Sequence, residues 1–102
     1  MNSNYEVHIT SVAKTELLKI YNYIAYNLYA KDAAENLINK ISEKVELLRN
    51  FPYIFAEVYD VYKRKTHYRR IVVKKYVILY SIDEDKKSVF IVHIYYGGSN
   101  YL

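Results

Sequence analysis

The sequence predicts an α+β domain in which two helices lie on one face of an antiparallel sheet. Three observations carry that prediction. Apolar residues recur at helical spacing over 13–28 and again over 34–48. Three later runs, His67 to Val73, Tyr76 to Ile82 and Ser88 to Tyr95, are rich in Val, Ile, Tyr and Phe. Short polar stretches, Lys74-Lys75 and Asp83-Glu84-Asp85-Lys86-Lys87, separate those runs as turns separate the strands of a meander.

The elements follow in order. Tyr5-Glu6-Val7-His8-Ile9 alternates apolar and polar, which predicts a short N-terminal strand. Thr10 or Ser11 can cap the helix behind it. Ala13, Leu17, Ile20, Ile24 and Leu28 then form one apolar face. Asp32-Ala33-Ala34-Glu35 has the form of a capping box with Asp32 as the cap. Ala34, Leu37, Ile38, Ile41, Val45 and Leu48 make a second helical stripe. The link at Tyr29-Ala30-Lys31 is short, so the two helices pair antiparallel. Pro52 stops the second one, because a proline pushes the residue before it out of the helical region. Residues 53–66 have no period. The three β runs then form a three-stranded antiparallel meander, and Gly97-Gly98-Ser99-Asn100-Tyr101-Leu102 is turn-like. An amphipathic helical hairpin can bury one face of such a sheet and leave the other at least partly open.

A chain of 102 residues is expected to be one domain, 1–102. It has no cysteine, which removes disulfides, thiolate metal sites and thiol nucleophiles. The absence of cysteine fits a reducing compartment. No run approaches the ~18 apolar residues of a membrane span. The opening MNSNYEVHIT lacks the basic-then-apolar order of a signal peptide. The expectation is a cytoplasmic protein without a membrane partner. The formal charge is +4 and unevenly spread. Residues 1–62 hold eight acids and six bases, and residues 63–102 hold three acids and nine bases. A polyanion or an acidic protein is the partner such an asymmetry favours.

The cations concentrate in KRKTHYRRIVVKK, Lys63 to Lys75, with seven of the fifteen bases and no acid. The run reads either as a solvated edge that keeps the sheet soluble or as an anion-binding surface. Arg69 stands out because it lies inside a strand. The alternative for it is an ion pair with a helix carboxylate such as Glu43 or Glu46. His93, among the apolar residues of the last strand, is either a half-buried filler or a proton carrier. Three scattered histidines without cysteine do not make a metal set, and no cofactor is expected. Fourteen tyrosines serve sheet packing and interfaces alike.

With these residues in this order, the chain resembles the RelE/ParE superfamily of bacterial toxins from type II toxin–antitoxin modules. ITSVAKTELLKIYNYIAYNL is similar to the family's strand end and first helix, and LINKISEKVELLRNFP to its second helix with the closing Phe-Pro. YRRIVVKKYVILYSIDEDKKSVFIVHIYYG resembles its three-stranded portion. The resemblance implies a helical hairpin against an antiparallel sheet, and a cognate antitoxin whose flexible, often acidic segment wraps the toxin. It implies one of two activities, and the basic run, standing where RNA-directed members hold phosphate, favours a block of translation by ribosome-dependent mRNA cleavage, with gyrase inhibition as the alternative. RelE-like members enter the ribosome and cut mRNA without a metal, and ParE-like members inhibit DNA gyrase by binding it. A third outcome is a toxin-like domain that has lost activity.

For RNA cleavage the ribose 2′-hydroxyl attacks the adjacent phosphate, so the protein must supply cations at the phosphate and an acid and a base nearby. Lys63, Lys65, Arg69 and Arg70 fall where the family has basic residues. Val77 stands where RNA-cutting members usually have Arg. Gly98, Ser99 and Asn100 stand where many relatives have two arginines and an aspartate. The resemblance therefore assigns phosphate stabilisation to Arg69 and Lys65 and proton transfer to His93 and Tyr101. Lys63, Arg64, Arg70, Lys74 and Lys75 are assigned to RNA or antitoxin contact.

Overall fold

The computed structural model describes residues 4–58 and 67–98. Strand β1 (Glu6–Ile9) leads into helix α1 (Ser11–Asn22), which ends in one π-helical turn, Tyr23–Asn27. Helix α2 (Lys31–Glu46) tightens into a 3₁₀ turn, Leu47–Arg49, before Pro52. Strands β2 (Arg69–Val73), β3 (Tyr76–Asp83) and β4 (Ser88–Tyr96) follow.

The meander is present as expected: β2 pairs with β3 and β3 with β4, both antiparallel. The N-terminal strand joins it at the far side, parallel to β4, giving the order β1-β4-β3-β2. A bulge between Leu79 and Tyr80 shifts the β3–β4 register, so Leu79 faces His93 and Tyr80 faces Ile91. Such an insertion bends the strand that carries it. Ala13 of α1 and Leu37 and Ile41 of α2 are buried in one cluster with Ile71, Ile78, Tyr80 and Ile91 of the sheet. The helical stripes and the strand alternation thus meet in a single core.

Local chemistry explains most boundaries. Thr10 is extended, and its Oγ1 accepts from the Ala13 N–H at 3.2 Å, satisfying one of the first-turn donors that a helix leaves over. Thr10→Ala is expected to cost about 1 kcal/mol, read as a lower denaturation midpoint with an unchanged slope. Asp32 departs from its expected role. Helix α2 begins at Lys31 with Ala30 as the cap residue and no side-chain cap, so Asp32 lies inside the first turn. There its carboxylate still favours the positive end of the helix dipole.

The turns are tight. In the β2–β3 turn Lys74 takes φ 54°, and in the β3–β4 turn Lys87 takes φ 48°. The second is braced by Asp83, whose Oδ1 accepts from the Lys86 N–H at 3.1 Å. That is the turn role expected of the Asp83-Glu84-Asp85 run. Gly97 donates its N–H to the Lys75 carbonyl at 2.6 Å, and a Cβ there would stand 3.0 Å from the same oxygen, so the approach suits glycine.

Candidate functional site

Four of the seven bases in the Lys63–Lys75 run lie in the described structure. Lys63, Arg64 and Lys65 fall outside the described residues, as does Tyr101. Arg69 and Arg70 are consecutive on a strand, so they leave the sheet on opposite faces. Arg70 is exposed and pairs across the sheet with Leu79, while Lys74 and Lys75 form the exposed turn at the end of β2.

Arg69 pairs with Tyr80, on the core side, and its side chain is only 21% exposed. The guanidinium donates to the Phe55 carbonyl at 2.7 Å and to the Tyr53 carbonyl at 3.3 Å. It forms an ion pair with Glu57 at 3.3 Å and lies 5.1 Å from the centre of the Tyr53 ring. Its carboxylate partner is therefore a loop residue and not Glu43 or Glu46. Glu57 also makes an isolated antiparallel bridge with Arg69. The planar fork of five donors suits this bracketing of a loop that has no internal ladder.

His93 sits across from Leu79, in the same register row as Arg70. Its Nδ1 lies 3.2 Å from Glu16 Oε1, and that oxygen also accepts from the Ile94 N–H at 3.1 Å. The cause is topological. Strand β1 ends at Ile9, opposite Ile91, so β4 runs on past its parallel neighbour. Glu16 of α1 then supplies an acceptor where the ladder stops. The sequence carried a trace of this, since Glu16 stands three residues after Ala13, beside the apolar stripe of α1. Arg69 and His93 are on β2 and β4, with β3 between. That spacing puts roughly 10 Å between their backbones, and the two side chains turn to different partners.

A second polar cluster was not anticipated. Tyr5 donates to both Glu84 oxygens at 2.9 Å, and Tyr53 and Lys87 also donate to Glu84. The Lys87 ammonium also lies 5.2 Å from the Tyr5 ring centre. The knot joins the N-terminal segment, the loop after Pro52 and the β3–β4 turn. Lys87, then Tyr53 and Tyr5, stabilise the carboxylate and hold Glu84 down at about 2. The hydrogen bond to Glu84 in turn pushes the Tyr53 hydroxyl up to about 12.

A carboxylate depressed in the fold contributes stability above its unfolded value of about 4.5, and that stability is lost as pH falls toward about 2. Glu84→Gln is expected to be less stable than wild type near neutral pH. The difference should shrink through this acid window. Denaturant midpoints measured across that range check the sign.

Two shallow clefts adjoin the knot. One of about 190 Å³ is lined by Tyr53, Glu57, His67, Arg69 and Ile82. The other, of about 460 Å³, shares His67 and Ile82 and adds Asp83, Glu84, Asp85 and Phe90. Among the described residues no three His, Asp or Glu side chains converge as a metal set does. No described helix is long and apolar enough to cross a membrane.

What the described geometry offers is a cationic strand and turn and two well-tied polar clusters. Comparison with known proteins gives this a family. The structure is similar to one described as "Chromosomal ParDE TA system from P. aeruginosa", with TM-score 0.72 and 17% identity over 91% of this chain and 96% of that one. It is similar to the RelBE2 toxin–antitoxin complex of Mycobacterium tuberculosis, with TM-score 0.63 and 19% identity over 91% and 98%. It is also similar to the archaeal RelE–RelB complex of Pyrococcus horikoshii OT3, with TM-score 0.62 and 16% identity over 93% and 97%. At such identities the likeness establishes the fold. No curated protein sequence matches the chain. The family is settled by sequence: the model described as "ParE toxin of type II toxin-antitoxin system, parDE" matches residues 7–101. With helices, meander and family match in agreement over nearly its whole length, the chain belongs to the ParE toxin family and is the toxin of a type II toxin–antitoxin module.

Proposed function

We propose that this toxin acts in the ParE manner, by binding DNA gyrase without catalysing a reaction, and that its cognate antitoxin holds it through an acidic segment against Arg70. The observation that carries this is the commitment of Arg69. A group meant to meet a scissile phosphate must present donors to it, whereas this guanidinium is spent on the Phe55 and Tyr53 carbonyls and Glu57. The central strand supports the same reading. Leu79, in the register row of Arg70 and His93, and Val77, in the row of Val72 and Tyr95, are apolar and buried.

A second reading is ribosome-dependent mRNA cleavage, favoured by one feature: Arg70 and His93 share a row across Leu79. In that reading Lys65 and Tyr101 complete the set, and the ribosome and mRNA are the partners. The two readings separate in one experiment. Purified toxin is added to a supercoiling reaction with gyrase and, in parallel, to a translation reaction with a labelled message. The expected result is loss of supercoiling with the message intact. A cut message with normal supercoiling overturns the gyrase reading, and no effect on either leaves a toxin-like domain without activity.

A further inference from the structure

At the end of α1 the chain exposes more aromatic surface than folding requires. Tyr23, Tyr26, Leu28 and Tyr29 are all exposed, and Tyr29 reaches 91%. The π-helical turn over Tyr23–Asn27 ends the helix here, and Tyr29 follows at φ 52°. A left-handed backbone is costly for a residue with a branched, bulky ring, and Asn or Gly fills it more readily. Tyrosine at that position contributes nothing to the core. Large exposed apolar groups clustered in this way mark a contact surface.

The cluster continues onto the sheet. Helix α1 runs beside β4 in the same direction, with the Thr10 N–H donating to the Ile91 carbonyl and the Ile94 N–H donating to Glu16, so the end of α1 comes out at the Tyr95–Tyr96 end of the strand. Tyr76 and Tyr96 meet edge to face at 5.7 Å between ring centres. The Gly97–Lys75 hydrogen bond ties the end of β4 to the Lys74-Lys75 turn. One end of the molecule therefore combines Tyr23, Tyr26, Tyr29 and Tyr96 with two exposed lysines.

We propose that this tyrosine-and-lysine end is the surface with which the toxin grips its protein target, and that the target surface it fits is acidic with an apolar centre. The inference rests on the reading that the toxin works by binding a protein. Tyrosine suits the task because it offers a large contact area with only two side-chain torsions to freeze, and a hydroxyl that keeps the surface wettable when empty. Lys74 and Lys75 add the charge that draws in carboxylates. The antitoxin has a different requirement, since a lasting partner favours more apolar ground. Such ground exists elsewhere, in the groove of about 240 Å³ lined by Lys14, Leu17, Leu18, Tyr21 and Ile38 between the helices.

The test is a Tyr26→Ser, Tyr29→Asn double variant, chosen because both side chains are exposed and asparagine tolerates the backbone at 29. Wild type and variant are compared for growth arrest on controlled expression, for affinity to the co-expressed antitoxin, for inhibition of purified DNA gyrase and for thermal midpoint. The expected result is at least a ~10-fold loss of potency in arrest and in gyrase inhibition, with antitoxin affinity and midpoint unchanged. Undiminished arrest overturns the proposal, and so does a ~10-fold loss of antitoxin affinity, which would assign the surface to the antitoxin. If arrest depends on these tyrosines but wild type leaves gyrase untouched, the gyrase reading fails and the surface stands. If gyrase is inhibited equally by both proteins, the surface falls and the gyrase reading stands. Wild-type expression without arrest overturns both.

Discussion

Tyr80→Ala is expected to lower stability by about 3–5 kcal/mol, the range for removing a large ring from a core. Tyr80 is fully buried on the central strand, with Phe55 edge-on to it at 6.5 Å, and its hydroxyl donates to the Pro52 carbonyl at 2.7 Å. That bond ties β3 to the chain leaving α2. Against a typical total of about 5–15 kcal/mol, the alanine variant would be marginal or unfolded. Tyr80→Phe keeps the ring and leaves the Pro52 oxygen without its donor, so it should cost about 1–3 kcal/mol. Urea midpoints of the two variants check the ordering. A phenylalanine variant as damaged as alanine would mean that the hydrogen bond, and not the ring, carries the effect.

The same residue gives a sign for alkaline behaviour. Burial pushes the Tyr80 hydroxyl up to about 12, against the downward pull of Arg69. The unfolded chain therefore releases this proton first, near 10, and the stability held by the neutral phenol declines from there toward about 12. Tyr80→Phe should flatten that decline.

Arg69→Ala is expected to cost about 1.5–3 kcal/mol, the range for hydrogen bonds that involve a charged group. The Phe55 and Tyr53 carbonyls and Glu57 would lose their common donor together. Protease cleavage within 53–57 should rise in parallel. Arg69→Lys keeps a charge but cannot fork to two carbonyls, so an intermediate loss is expected. An alanine variant as stable as wild type, with an equally protected loop, would mean that the bracket is idle and that Arg69 is available for a ligand. Any loss of toxicity in Arg69→Ala must be read beside its stability, since a loosened fold also lowers activity in cells.

The amino-acid order by itself determined the elements. Helical spacing in Ala13–Leu28 and Ala34–Leu48, Thr10 as a cap, Pro52 as a stop and the lysine and acid turns are local signals, each readable within about ten residues. They specify two helices, a meander and a family. The π-helical turn escaped that reading, because Ile24 and Leu28 continue the helical spacing while the hydrogen bonds do not. The partners of the polar side chains escaped it too. Arg69 meets Glu57, not Glu43 or Glu46, because the loop after Pro52 folds back along β2. Glu16 reaches His93 and Ile94 because β1 stops short beside β4, and Tyr5 reaches Glu84 because β1 lies parallel to β4 at the sheet's edge. Those last contacts span more than seventy residues of chain. Periodicity records which side of an element is apolar, and carries no information about which distant segment will lie next to its polar groups. That is decided when the sheet order closes, and with it the places where a buried or edge polar group must find a partner.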